Sequence, residues 1–418
     1  MRTHAKRIYR GKNHFRLNKF AAFFGSNGSG KSNFDKALSK MAKIILFGID
    51  TCDAKPFRFA DESNTSFEVE LYLHETLYSY GFTCNLNERT ITDEWLCEVK
   101  LNKDVFYLKR ENGKSSFIHD RFLKKEEIRN RLSAYMAEAD ENNKLLLLPM
   151  IVRNTAKSNF QNELHPFYDV FDFFLSKLNL TSPQDFVSIN AVDLTQQDNL
   201  KKFGDMLKRF DTGITSVIQT EVSEEKFRQE VPQGIYERIV SDFKSKDDLK
   251  TAIVRSASDF WVLKRLENND VNFHKIQFIH YNQIDKPFDL KDESDGTKRL
   301  FTLLDILLWE NDGTTFIVDE IDRCLHPCLT RQFIKEFLKL ADQPNYRNQL
   351  IVSTHESKLM NLQFLRRDEI WFAENEGVKG SKIYPFDQYN ERYDKVIEKA
   401  YLDGRFGAIP LFEEAQGK

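Results

Sequence analysis

Residues 23–33, FFGSNGSGKSN, carry the densest chemistry in the chain. Gly25, Gly30, Lys31 and Ser32 fill the pattern G-x-x-x-x-G-K-[ST], directly after the apolar pair Phe23 and Phe24. Such a loop turns successive backbone N–H groups inward onto a polyphosphate, and only glycine lets the backbone come that close. Gly25, Ser26, Asn27, Gly28, Ser29, Gly30, Lys31, Ser32 and Asn33 would then line the phosphates of a nucleotide. Lys31 would reach the β- and γ-phosphates and Ser32 would hold Mg²⁺. The bland alternative is a glycine-rich turn opening a helix; a strand before the loop and a helix after it both count against that reading.

A second set of candidates lies far downstream. TTFIVDEIDRCLHP, residues 314–327, reads as a buried strand ending in two carboxylates, where open α/β sheets place ligand chemistry. Asp319 would fix Mg²⁺ through its water shell, and Glu320 would orient and deprotonate an attacking water. QLIVSTHES, residues 349–357, is another apolar strand, and His355 stands just past its end, where a γ-phosphate contact is expected. A lone histidine is more often structural. DESDGTKRL, residues 292–300, precedes the helix-like LFTLLDILLWE and offers Ser294, Asp295, Gly296 and Thr297 at a helix N-terminus, either an anion site or a plain cap.

The elements that must position these groups follow from periodicity. Residues 18–24 read as a strand, and SNFDKALSKMAKIILF as the helix after the loop, with Phe34, Ala37, Leu38, Met41, Ile44 and Ile45 at helical spacing. SFEVELYL alternates apolar and polar residues, and YSYGFTCNL, WLCEVKL and DVFYLKR continue in that style, so an antiparallel meander is expected beside the loop. From about residue 121 the pattern turns helical, in FLKKEEIRNRLSAYM, HPFYDVFDFFLSKL and LTQQDNLKKFGDMLKRF. Strands are expected at GITSVIQTEV and VNFHKIQFIHY, with a charged, poorly patterned stretch at 240–250. The expected organisation is an N-terminal lobe over 1–120, a mainly helical insertion over 121–265 and a C-terminal lobe over 266–418.

Composition narrows the function classes. Of 418 residues 41% are apolar and 30% charged, enough for a large core. The longest apolar runs, such as LLLLPMIV at 145–152, are too short to cross a bilayer. The basic start MRTHAKRIYRGKNHF has no apolar stretch after it and does not read as a secretory signal, so a cytoplasmic protein is expected. Five cysteines form no C-x-x-C pair; Cys324, His326 and Cys328 crowd together, but a zinc site needs four ligands and no second cluster supplies the rest. A net charge of −3 gives no bulk attraction to nucleic acid, though a local basic patch stays open.

Phosphate loop, S-D-G-T before a helix, strand plus Asp-Glu, then strand plus Ser-Thr-His resembles, in that order, the ABC-type (SMC-like) ATPase head. A closer resemblance is to the bacterial RloA/AbiL group of AAA-type ATPases linked to abortive infection. It is carried by PFRFADESNTSFEVEL, ESDGTKRLFTLL, VDEIDRCLHP, LIVSTHES, RRDEIWFAE and YLDGRFGAIP, between about residues 17 and 412. The resemblance implies an α/β ABC-type P-loop head with a mixed central sheet, an antiparallel β section and a helical insertion. It implies ATP with Mg²⁺ buried between two subunits of a homodimer, Ser294 and Gly296 of one closing over the γ-phosphate held by Lys31 of the other. His355 would match the switch histidine, and Asp322–His326 the loop touching the partner site. It further implies an anti-phage role beside a nuclease-like TOPRIM partner, answering a phage-derived trigger. The short S-D-G-T signature argues against a transporter head. Members of the group open with an extra N-F-x-S-F strand that this start does not display, which implies an open sheet edge and weaker nucleotide affinity. Two other readings stay open: an SMC-like DNA-repair ATPase, which needs a long coiled coil or a basic groove, and a scaffold holding ATP without hydrolysing it.

Overall fold

The computed structural model describes residues 5–12, 15–60, 63–182, 193–231, 233–245, 250–255, 259–268, 270–389 and 397–409. In chain order the elements are β1 (Ile8–Arg10), β2 (Arg16–Asn18), β3 (Phe20–Phe24), α1 (Lys31–Phe47), β4 (Asn64–Leu73), β5 (Thr76–Asn85), β6 (Thr90–Glu98), β7 (Val105–Glu111) and β8 (Lys114–Ile118). They continue through α2 (Glu126–Glu141), α3 (Leu147–Thr155), α4 (His165–Asp172), β9 (Leu178–Thr181), α5 (Gln197–Lys208), β10 (Ile214–Val222), α6 (Glu224–Glu230), α7 (Gln233–Ser245), β11 (Thr251–Arg255), β12 (Phe260–Arg265) and β13 (Val271–His280). The last are α8 (Asp295–Leu308), β14 (Thr315–Val318), α9 (Pro327–Ala341), β15 (Gln349–Thr354), β16 (Ile370–Asn375), β17 (Ser381–Pro385) and α10 (Ile397–Leu402).

The chain forms two compact units: unit 1 holds residues 1–182, 312–320 and 341–418, and unit 2 holds 183–311 and 321–340. Of the stretch 121–265, residues 121–182 fall in unit 1 and 183–265 in unit 2. The helices α2, α3 and α4 and the strand β9 belong to unit 1, and α5, β10, α6, α7, β11 and β12 belong to unit 2.

Unit 1 is built on a six-stranded sheet of order β17-β16-β3-β15-β14-β9. All neighbours from β16 to β9 run parallel, and only the edge strand β17 is antiparallel. The runs FAAFF in β3 and TFIV in β14 are apolar on successive residues rather than alternately, as buried parallel strands require. The expected single strand over 18–24 is broken at Lys19, which is 3% exposed and donates its Nζ to the carbonyls of Ala341 and Gln343 at 2.8 and 3.0 Å.

The expected meander is present as a five-stranded antiparallel sheet, β4 through β8 in sequence order. Its core side chains, among them Tyr80, Phe82, Leu96 and Leu108, join Met41, Ile44 and Ile45 of α1 with Leu147, Ile151 and Phe167 of α3 and α4 in one cluster. The apolar run at 145–152 thus opens a core helix. That helix starts without a side-chain cap of its own. The buried Glu94 carboxylate supplies one, accepting from the amides of Leu147 and Leu148 at 2.6 and 2.9 Å.

Unit 2 carries the antiparallel sheet β10-β13-β12-β11. Phe301 of α8 stacks on Phe278 of β13, with ring centroids 4.7 Å apart, and Phe203 of α5 meets Phe301 at 5.8 Å. A second apolar cluster gathers Phe227, Tyr236, Trp261 and Phe273. The charged, poorly patterned stretch 240–250 is helical as far as Ser245 because Tyr236 and Phe243 enter that cluster; residues 246–249 lie outside the described ones. Lys275 is fully buried here, its Nζ 2.7 Å from Glu230, 3.1 Å from Asp259 and 2.7 Å from Asp289.

Candidate functional site

The glycine loop joins β3 to α1 without a spare residue: β3 ends at Phe24 and the helix begins at Lys31. Gly28 and Gly30 have φ of 76° and 98°, the left-handed region that a Cβ disfavours. Space forbids side chains as well. A Cβ on Gly25 would stand 2.4 Å from the Ala373 carbonyl oxygen, and one on Gly30 would stand 2.1 Å from Ser381 Oγ. The loop is thus packed closely against Ala373 of β16 and Ser381 of β17. It is also tied down: Asn375 Nδ2 donates to the Gly28 carbonyl at 3.0 Å, and the Ser26 amide donates to the Ala408 carbonyl at 2.8 Å.

The helix that follows is open to an anion. No side chain caps α1 and no acidic residue stands in its first turn, so its leading N–H groups and positive dipole end face the loop. Ser29, 1% exposed, has its Oγ buried without a hydrogen-bond partner among the described residues. Asn27, Gly28 and Asn33 are exposed at the rim, with Ser26, Gly30 and Ser32 half-buried beneath them. Lys31 is 6% exposed and curls back over the loop, donating to the carbonyls of Gly25 and Ser26 at 2.7 and 3.0 Å.

Parallel register brings the distant candidates to the same sheet edge. Thr354 pairs with Phe24, so His355 stands beside the loop, its Nδ1 3.5 Å from Lys31 Nζ. Val318 pairs with Val352, one strand further on, which puts Asp319 beside Ser353. At the usual strand spacing β14 lies about 10 Å from β3. Ser353 Oγ donates to Asp319 Oδ1 at 2.5 Å and accepts from the Glu320 amide at 2.8 Å, so one hydroxyl orients both carboxylate residues. The Asp319 amide donates to the Thr181 carbonyl at 3.0 Å. Glu320 has φ 47°, a conformation a glutamate adopts only under constraint.

The donor chemistry fits the groups the motif implies. A glycine cradle, an uncapped helix start and a buried lysine suit a triphosphate, and a serine hydroxyl with a buried carboxylate are hard oxygen donors that suit Mg²⁺.

Ser294, Asp295, Gly296 and Thr297 belong to unit 2. Ser294 caps α8, accepting from the Thr297 amide at 3.1 Å, and Asp295 opens the helix, exposed. Gly296 is a close approach: a Cβ there would stand 2.6 Å from the carbonyl oxygen of Cys324, in the turn after β14. The capped helix start and the close packing on that turn are thus both present at this stretch.

Asn375 and Ser381 belong to no motif, and Ser353 and Ala408 lie in the Ser-Thr-His and GRFGAIP strings, which by themselves assign them no role. The string GRFGAIP gave a partial signal. Gly404 and Gly407 are left-handed, and Tyr384 and Tyr401 donate to the carbonyls of Phe406 and Ala408 at 2.7 and 3.0 Å, which holds Ala408 on the loop; Pro410 lies outside the described residues.

Residues 20–361 match the family model described as "AAA domain, putative AbiEii toxin, Type IV TA system". Among solved structures the chain is similar to "Crystal structure of the SmcHead bound to the C-winged helix domain of ScpA", at 13% identity and a TM-score of 0.34, covering 90% of this chain and 93% of that one. No curated protein matches. Among the described residues no helix is long and apolar enough to cross a membrane.

Proposed function

The chain belongs to the AAA-domain family grouped with the AbiEii toxin of type IV toxin–antitoxin systems, and from that premise we propose that it is a cytoplasmic, ATP-hydrolysing switch of a bacterial anti-phage abortive-infection system. The observation that carries the reading is the convergence of Lys31, His355, Asp319 and Glu320 on the C-terminal edge of one parallel sheet, through the pairings of β3, β15 and β14.

In this reading the α1 N-terminus and the loop amides hold the phosphates of ATP, and Lys31 exchanges its contacts with Gly25 and Ser26 for phosphate oxygens. Ser32, and Asp319 through the ion's water shell, would hold Mg²⁺, whose charge would offset that of the triphosphate. Glu320 takes a proton from water as the water oxygen bonds to the γ-phosphorus and the bond to the β–γ bridging oxygen breaks, releasing ADP and phosphate. His355 contacts the γ-phosphate and reports its loss. Ser294, Asp295, Gly296 and Thr297 of a second copy complete the site, so ATP stands between two subunits and its hydrolysis loosens the pair. The state of that pair would govern a TOPRIM-type nuclease partner in response to a phage-derived trigger.

Phosphate release by the parent chain and by Glu320→Gln tests the core of the reading. The variant should lose turnover while retaining ATP and a dimeric mass in size-exclusion chromatography. Equal background rates for both chains would leave ATP as a structural ligand and end the hydrolytic assignment. An ATP-strengthened, salt-sensitive affinity for duplex DNA would move the biology toward DNA repair instead.

A further inference from the structure

Two phenylalanines of unit 1 face solvent between α1 and β4. Phe57 and Phe59, in the stretch KPFRF, are 47% and 61% exposed. The Ala60 amide donates to the Phe57 carbonyl at 3.0 Å, and the turn so closed sets the rings in edge contact, centroids 5.6 Å apart and planes at 70°. A single exposed phenylalanine needs no explanation. Two in contact that both face solvent forgo the burial either would gain in a core.

The pair is joined to the phosphate loop through the turn between β16 and β17. A Cβ on Gly380, whose φ is 89°, would stand 3.7 Å from Phe57 Cζ. The next residue, Ser381, opens β17 and packs on Gly30, while Asn375 ends β16 and donates to the Gly28 carbonyl at 3.0 Å. Followed along these contacts, the tip of the Phe57 ring lies within about 15 Å of the Gly30 Cα.

The order of the sheet decides what reaches the rings. Asp319 and Glu320 follow β14, on one side of β3, and the turn between β16 and β17 lies on the other side. The attacking water belongs with Glu320, so the γ-phosphate end of a bound nucleotide faces β14. The phosphates then run back across the α1 N-terminus, and ribose and base leave the loop on the β16 side, toward Phe57 and Phe59. Given that reading of the phosphate loop, on which the inference rests, we propose that these two rings hold the purine base of the nucleotide by stacking. The base lies flat on one ring while the other closes its edge. A phenyl ring has no hydrogen-bonding group, so this contact supplies affinity without choosing adenine over guanine. An apolar segment of another protein, the alternative occupant, would cover the same rings without answering to a base.

Isothermal titration calorimetry of the full chain with Mg²⁺ and ATP, GTP or inorganic triphosphate separates the base from the phosphates. Phe57→Ala and Phe59→Ala should each weaken ATP and GTP alike, by about 5- to 150-fold, and leave inorganic triphosphate unchanged. Thermal unfolding should match the parent, since both positions are exposed. Phe57→Trp should retain ATP, and its added indole emission, read against the parent, should be quenched by ATP and not by inorganic triphosphate. If both alanine variants bind ATP as the parent does, the rings take no part, and the proposal falls with the phosphate-loop reading intact. An equal loss for ATP and inorganic triphosphate makes the rings supports of the loop and overturns it too. A parent chain that binds none of the three ligands overturns the phosphate-loop reading, and the proposal with it.

Discussion

The contact between Gly30 and Ser381 makes a sharp test of how the phosphate loop keeps its shape. Gly30→Ala suffers twice. At φ 98° an L side chain is strained, at about 1–2 kcal/mol. The new methyl would also stand 2.1 Å from Ser381 Oγ and 2.4 Å from Ser381 Cβ. Rotation about χ1 moves the hydroxyl but not the Cβ, so β17 or the loop must shift, an overpacking cost of about 1–3 kcal/mol. If the loop relieves both terms by deforming, ATP affinity falls by about 30-fold to several thousandfold. Ser381→Gly removes the clash and leaves the φ strain. The double variant should then recover about 5- to 150-fold of the lost affinity relative to Gly30→Ala, with Ser381→Gly alone as the reference arm of the cycle. Titration of a fluorescent ATP analogue by anisotropy reads the affinity, and thermal unfolding of each variant separates loop damage from global loss. No recovery in the double variant would refute the claim that β17 braces the loop.

Three further outcomes follow from other parts of unit 1 and unit 2. Ser353→Ala removes the hydroxyl shared by Asp319 and Glu320; phosphate release should fall by roughly tenfold to a hundredfold through misplacement of the carboxylates, with ATP affinity little changed. Lys275→Met leaves Glu230, Asp259 and Asp289 facing one another without their shared cation, and urea denaturation at pH 7 should show a loss of about 3–5 kcal/mol. Glu369 is held protonated by burial, which outweighs the Arg366 amide and Arg7 and pushes its pKa from 4.5 to about 7. Its raised folded pKa means its stabilisation is complete below the unfolded value near 4.5 and is lost as pH rises through about 7. Stability should therefore decline over that window by at most about 3 kcal/mol from this group, and Glu369→Gln should flatten the slope in pH-dependent denaturation.

Much of the candidate site is legible in the sequence because the chemistry proposed for it is written in short contiguous strings. A phosphate loop acts through its own backbone and the helix it opens, so Gly25–Asn33 announces itself without knowledge of any other residue. The strand ends at Asp319 and His355 were visible for a similar reason: an apolar run that stops at a charged residue marks where a buried strand meets solvent. The meander was legible in its first four strands, where apolar and polar residues alternate, while β8, only five residues long, left no clear signature. The apolar run at 145–152 gave its burial away but not its form. A helix results because Glu94, two strands earlier in the meander, satisfies the amides at its start.

Local periodicity set the type of each strong element and the chemistry of the phosphate loop, since both depend on residues a few positions apart. Which strand lies beside which was decided only in three dimensions. Sheet order comes from crossover geometry and the burial of both faces at once, and no window of sequence carries that information. That is why Ser353 could not be read as the residue orienting Asp319 and Glu320, nor Ser381 and Ala408 as braces of the loop: each acts only through a neighbour that the folded sheet supplies.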